Sequence, residues 1–133
     1  MQINKAFKFR IYPDDTQKQF LAQSFGCARF VYNRFLRQRI DYYAENAKGL
    51  TYHNNALALT QLKKEPEFEW LNDINSQSLQ SALRNLDTAY SNFFNKKAKF
   101  PNFKKKSNKQ SFSVPQNFLI HDNEFDIPKC KGI

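Results

Sequence analysis

Three groups of residues in this sequence are of types that act on other molecules. The first is a lysine run: Lys96, Lys97, Lys99, Lys104, Lys105, Lys106 and Lys109, with Phe100, Pro101 and Phe103 set among them. Ammonium groups at this density attract phosphate and release its condensed counterions. The phenylalanines can anchor the segment to the protein or stack on unpaired bases, and anchoring is the favoured role. The plain alternative is a solvated charged linker. Phosphate contact is preferred because the whole chain shares the bias: 21 Lys and Arg against 12 Asp and Glu, a formal charge of +9.

The second group is the acids, clustered as Asp14-Asp15, as Glu65, Glu67 and Glu69, and as Asp122, Glu124 and Asp126. Metal-assisted hydrolysis needs carboxylates that converge from separate elements. These clusters read instead as a helix cap, a solvated loop and a turn, so no catalytic carboxylate, metal site or cofactor is expected. The third group is Cys27, Cys130, His53 and His121. The cysteines lack the paired spacing of a zinc or redox motif and read as two reduced thiols, one buried on a helix. The histidines stand alone and read as surface or partner-contact residues.

The charge therefore points to nucleic acid as partner. A membrane is excluded as the alternative, because the longest apolar runs are only a few residues, and no small-molecule substrate is indicated. The opening residues, Met1 to Lys5, lack an apolar leader core, so a cytoplasmic protein is expected.

The elements that must position these residues follow from periodicity. Lys5 to Tyr12 alternates, with Phe7, Phe9 and Ile11 on one side and Lys8 and Arg10 on the other, which predicts a half-buried strand with a cationic outer face. Pro13 ends it. Asp14-Asp15-Thr16 is a helix start. Leu21, Phe25, Ala28, Tyr32, Phe35, Arg39 and Tyr43 recur at helical spacing, predicting a helix over about 16–46 that stops at Lys48-Gly49. Gly26 lies within it, at a cost of roughly 1 kcal/mol, and close packing against another backbone is the expected reason. Thr51 caps a second helix to about Lys64, and Pro66 prevents its continuation. A third helix begins near 72–75 and carries the amphipathic stripe Leu79, Leu83, Leu86, Tyr90 and Phe93, read as bundle core. After the lysines, Ser111 to Val114, Phe118 to Ile120 and Phe125 to Ile127 read as strands, the last two joined by a turn at Asp122-Asn123-Glu124. The final strands are expected to rejoin the first, which is not stable alone.

Several segments, in order, resemble the TnpB (OrfB) family of transposon-encoded RNA-guided nucleases. They are Lys5-Ala-Phe-Lys-Phe-Arg-Ile-Tyr-Pro13; Phe25-Gly-Cys-Ala-Arg-Phe-Val-Tyr-Asn33; Leu79 to Phe94; Phe100-Pro-Asn-Phe-Lys-Lys-Lys106; Ser111-Phe-Ser-Val-Pro-Gln-Asn117; and Ile127-Pro-Lys129. The resemblance is to the N-terminal part of that family. It implies an α+β fold, with a three-helix recognition insertion in a small wedge-type β-barrel domain that is incomplete here. Residues 1–13 would be the first wedge strand, 14–95 the helical recognition domain, and 96–133 the basic linker and returning strands, truncated.

The resemblance also implies partners and roles: a structured guide RNA and double-stranded DNA beside the target. Guide pairing supplies sequence, and the protein reads shape and a short motif. The positions matching the motif-reading face are Tyr52, Ala56, Ser76, Gln77 and Gln80, with Pro115, Gln116 and Asn117. Gln and Asn can pair bidentately with adenine; an ordinary exposed helix face is the plain alternative. Backbone contact falls to Lys5, Lys8, Arg10, Lys97, Lys104, Lys105, Lys106 and Lys109, with Arg29, Arg34, Arg37 and Arg39 as further candidates. The family's nuclease carboxylates and four-cysteine ribbon have no counterpart in these residues, so this chain by itself is not expected to be an enzyme. The leading reading is nucleic-acid binding by a truncated TnpB-like protein. The alternatives are part of a longer endonuclease that cuts only with a RuvC-type domain, and an interaction-prone remnant.

Overall fold

The computed structural model describes residues 2–133. Its elements run α1 (Asp15–Asn46), α2 (Tyr52–Leu62), a 3₁₀ segment (Pro66–Asp73), α3 (Ser76–Phe94), β1 (Leu119–His121) and β2 (Glu124–Asp126). The fold is mainly helical with one small antiparallel hairpin.

Each helix starts where a short polar side chain can satisfy free amide groups. Asp14 and Gln17 form a reciprocal capping box: the Gln17 amide donates to Asp14 Oδ1 and the Asp14 amide donates to Gln17 Oε1, both at 2.8 Å. Thr51 and Asn54 repeat the arrangement at α2, and Asn75 Oδ1 accepts from the Gln77 amide at α3. The helix α1 ends at Asn46 as expected, but on a different cap. Ala47, not the Lys48-Gly49 pair, takes the left-handed conformation (φ 54°) and returns its amide to the Tyr43 carbonyl. Gly26 is also not a close-packing point. A Cβ there would meet only the Arg29 side chain at 3.8 Å, an ordinary contact.

The core lies between α1 and α3, closed by α2 and the 3₁₀ segment. Val31, Phe35 and Leu36 of α1 meet Leu79, Leu83 and Leu86 of α3, with Leu59, Leu62, Leu71 and Ile74 completing the cluster. The stretch around Glu65, Glu67 and Glu69, expected as a solvated loop, is the 3₁₀ segment that Pro66 opens. It buries Leu71 and packs Phe68 (tilted, 5.8 Å between ring centroids) and Trp70 (edge-on, 5.0 Å) against Phe30.

A second, smaller cluster gathers Ile127, Cys130 and Ile133 against Phe20 and Leu21 of α1 and against Phe112, Val114 and Phe125. The β1–β2 hairpin pairs Leu119 with Asp126 and His121 with Glu124, and its turn passes through Asp122 at φ 49°. Ile133 adds two backbone bonds to Phe125, each 3.0 Å.

Two expected strands are not formed. Residues 5–12 have no ladder partner among the described residues, and Phe7 and Phe9 are 75% and 79% exposed. Alternation specifies a strand only when a partner strand takes up its amides and carbonyls, and β1–β2 does not reach it. Residues 111–114 are also unpaired, held by the burial of Phe112 and Val114 rather than by a ladder. No helix is long and apolar enough to cross a membrane among the described residues.

Candidate nucleic-acid interface

After α3 the chain turns back and runs along α1 as a strap. Phe100 starts it, edge-on to Tyr90 (5.4 Å) and Phe93 (5.3 Å), with Pro101 buried beside it. Its contacts then descend one stripe of α1 in reverse order. Asn33 clasps the Lys104 backbone on both sides: its Nδ2 donates to the Lys104 carbonyl (2.8 Å), and its Oδ1 accepts from the Lys104 amide (2.7 Å). One turn earlier, Arg29 Nη1 donates to Gln110 Oε1 (2.7 Å). One turn earlier again, Phe25 meets Phe112 edge-on at 5.2 Å. Phe25, Arg29 and Asn33 stand four residues apart, the spacing that keeps side chains on one helical face.

Between strap, α1 and α3 lies a cleft of about 290 Å³. Arg29, Lys104, Lys105 and Lys109 line it, with Tyr32 below and Asn85 and Ser78 on the α3 side. Lys104 Nζ sits 4.6 Å from the Tyr32 ring centre, a cation–π contact that leaves the ammonium's other face available. Burial pushes the Tyr32 phenol up, so it stays neutral beneath that lysine. The Ser78 hydroxyl is buried and has no hydrogen-bond partner among the described residues. The wall is thus cationic, a surface suited to a phosphate backbone.

The other expected contacts divide. Lys106 is exposed on the strap outside the lining, and Lys97 lies at the end of α3, its amide bonded to the Asn92 carbonyl. Lys5, Lys8 and Arg10 are exposed on the unpaired N-terminal segment, where Arg10 lies 5.7 Å from the Tyr12 ring.

Of the base-reading candidates, Gln77 and Gln116 are brought together, Gln77 Nε2 donating to Gln116 Oε1 at 3.1 Å. Asn117 follows, exposed, with φ 63°. Ser76 and Gln80 share the first turns of α3 with Gln77. Tyr52 does not join them. It opens α2, half-buried under Arg84 (5.4 Å to the ring), and with Ala56 packs against the core.

Three arginines on α1 are otherwise engaged. Arg39, a candidate for RNA contact by sequence, is a core residue: 4% exposed, its Nε donating to Asn55 Oδ1 (2.7 Å) and its Nη2 to Asp87 Oδ1 (3.0 Å), with the Tyr90 ring 4.9 Å away. A buried guanidinium held by three partners cannot reach a phosphate. Arg34 covers the Phe68 ring at 4.6 Å, and Arg37 pairs with Asp41 at 3.2 Å. The acids of the last cluster also have local roles. Asp126 accepts from the Gly132 amide (2.7 Å) and sits 3.1 Å from His121 Nε2.

Sequence reasoning does not find the clasp by Asn33 or the Arg29–Gln110 bond. Their signal is the stripe itself, polar residues at four-residue steps continuing a run begun by Phe25.

Comparison with known proteins settles the relationship. Residues 1–48 match the helix-turn-helix domain family of OrfB proteins of the IS605 type. A "putative RNA-guided DNA endonuclease" of Streptomyces pristinaespiralis is 39% identical over 130 residues, 96% of this chain and 32% of that protein. The similarly named InsQ of Escherichia coli K12 is 38% identical over 127 residues, 94% of this chain and 32% of InsQ. Virulence protein VsdF of Salmonella dublin is 36% identical over 114 residues, 79% of this chain and 96% of VsdF. The chain belongs to the TnpB/OrfB family. It spans about a third of the length of the two endonuclease-named relatives and nearly all of VsdF. Within this TnpB/OrfB chain the span matched as a helix-turn-helix holds the N-terminal segment and one helix, α1; the next helix begins at Tyr52.

Proposed function

We propose that this chain is a nucleic-acid-binding unit of a transposon-encoded TnpB-type protein, holding a structured guide RNA and duplex DNA beside the target. The observation that carries this is the cleft in which Arg29, Lys104, Lys105 and Lys109 converge. The cutting chemistry belongs, in this reading, to a RuvC-type nuclease part of a longer protein, and this chain supplies binding. Residues 14–95 act as the recognition insertion. Residues 1–13 and 96–133 form the wedge element; Ile11 lines the same apolar groove as Phe118 and Phe125 of the hairpin region, which supports that grouping. The Gln77–Gln116 pair with Ser76, Gln80 and Asn117 reads the DNA motif, and Tyr52, packed against the core away from them, is not part of that face.

The test is fluorescence anisotropy over a salt series with RNA from the protein's own locus, scrambled RNA and duplex DNA. Affinity should fall steeply with salt, and the triple change Lys104→Gln, Lys105→Gln, Lys109→Gln should flatten the duplex slope by about 0.9 for each phosphate no longer neutralised. Salt-insensitive binding, or an unchanged slope, would refute it. A second reading is that of a self-associating remnant, favoured by the exposed Phe7, Phe9, Leu119 and Ile120. Concentration-dependent oligomers with no nucleic-acid affinity would establish it instead.

A further inference from the structure

At the end of the bundle where Phe100 starts the strap lies a second cavity, of about 660 Å³. That is within the range of roughly 300–1,000 Å³ typical of small-molecule sites. Its walls are aromatic: Tyr43, Tyr52, Tyr90, Phe93, Phe94 and Phe100. Tyr90 and Phe94 lie 6.2 Å apart at 30°, while Phe93 meets Phe94 at 63°. Tyr43 and Phe94 are 61% and 69% exposed. These two rings stand open to water at the cavity, available to a stacking partner.

The surroundings indicate which kind. Lys96, Lys97 and Lys99 occupy the turn between Phe94 and Phe100, and Lys48 precedes Gly49 in the wall; all four are exposed. Against them stand the exposed Glu45 and the lining Asp87, whose charge is engaged by Arg39. The lining is therefore aromatic and close to neutral, and exposed lysines flank it along the chain at Lys48, Lys96, Lys97 and Lys99. A phosphate gains nothing inside and a good deal beside those lysines, whereas a nucleobase has the reverse preference. His53, Ser91 and Asp87 supply the few polar groups that an inserted base edge needs.

We infer that this cavity takes an unpaired base of RNA, its flanking phosphates held by the lysines of the α3–strap turn. The inference rests on the nucleic-acid-binding reading above and adds a base-dependent site to it. RNA rather than DNA is assigned because the DNA in that reading is duplex, with its bases already stacked. Structured RNA presents bases free in loops and bulges.

The test compares fluorescein-labelled octa-adenylate RNA with the same length of abasic RNA, which keeps the phosphates and lacks the bases. The full chain should bind the base-bearing strand about five- to 150-fold more tightly, the contribution of one base stacked on aromatic side chains. Tyr43→Ala with Phe94→Ala, both at exposed positions, should abolish that difference and leave abasic binding and the thermal midpoint unchanged. Equal affinity for the two strands, or a variant that weakens both alike, would overturn the assignment while leaving the phosphate cleft standing. Tighter binding of octa-deoxyadenylate would overturn the choice of RNA. If the variant changes only self-association, measured by sedimentation, the cavity is a protein contact and the proposal is wrong. Loss of salt-sensitive binding to every strand would instead remove the nucleic-acid reading itself.

Discussion

Replacing Arg39 by alanine tests whether the charge of α1 has been correctly divided between the interior and the partner. The guanidinium is 4% exposed and connects all three α-helices: it comes from α1 and bonds to Asn55 of α2 and Asp87 of α3. Asn55 is itself fully buried, and its Nδ2 donates onward to Gln38 at 3.0 Å. Removing the arginine strands the Asn55 oxygen, at a cost of about 1–3 kcal/mol for an unsatisfied buried acceptor. Loss of the Tyr90 contact adds about 1–2 kcal/mol for a desolvated cation–π pair. Asp87 is 43% exposed, so water reclaims it and that ion pair contributes only about 0.5–1 kcal/mol. The sum is about 2.5–6 kcal/mol, a fall in Tm of roughly 10–25 °C for a chain of this size. Arg37→Ala is the control: its pair with Asp41 is 65% and 54% exposed and should cost under about 0.5 kcal/mol. Urea unfolding followed by circular dichroism measures both. A loss below about 1 kcal/mol for Arg39→Ala, or equal losses for the two variants, would refute the reasoning that Arg39 is a structural cation.

Three further outcomes are expected. Asn33→Ala removes both bonds that fix the Lys104 backbone; trypsin should then cut within 104–109 several-fold faster while cutting on α1 is unchanged, and equal rates would count against the clasp. The Gly132 amide, then His121, holds the Asp126 carboxyl below the usual carboxylate range. The stability it lends is therefore present above the ordinary Asp value and lost as pH falls through its depressed one; protection of the Gly132 amide, relative to its intrinsic exchange rate, should fall only in that acid window, and in Asp126→Ala it should be absent at every pH. Burial, assisted by Asp73, pushes the Cys27 thiol up to about 11, and burial raises Cys130 too; both should resist a thiol reagent at pH 8 until the chain is unfolded, and prompt native labelling of Cys27 would contradict its placement.

Much of the helical part is legible because helix signals are local. The cap at Asp14, the stripe Leu79, Leu83, Leu86 and the Asp122 turn each lie within a few residues, and the structure forms each of them. Arg39 is in view as a member of the apolar series from Leu21 to Tyr43. An arginine in that series signals a buried cation, and a solvent-facing reading passes over its position. The segment 5–12 misleads for the opposite reason: its alternation is real, but a strand is completed by a partner whose identity the alternation does not carry. The 3₁₀ segment hides because Pro66 and three glutamates look like loop composition, while the anchors Leu71 and Trp70 matter only once Phe30 is placed opposite. Of the site, the lysines are evident and the cleft is not, since its walls come from residues 71 to 81 positions apart.

Gln17 joins the two ends of the chain. Its Oε1 completes the α1 cap, while its Nε2 donates to the Lys131 carbonyl at 2.8 Å, across 114 residues. At roughly 5–20 residues per second of synthesis, those partners emerge about 6–23 seconds apart, whereas a helix forms in about a microsecond. Long before that latch can close, residues 104–112 reach Asn33, Arg29 and Phe25, so the strap and its cleft can form while Gln17 still lacks its second partner. A polyanion arriving earlier still meets α1 bare along the stripe that the strap later covers.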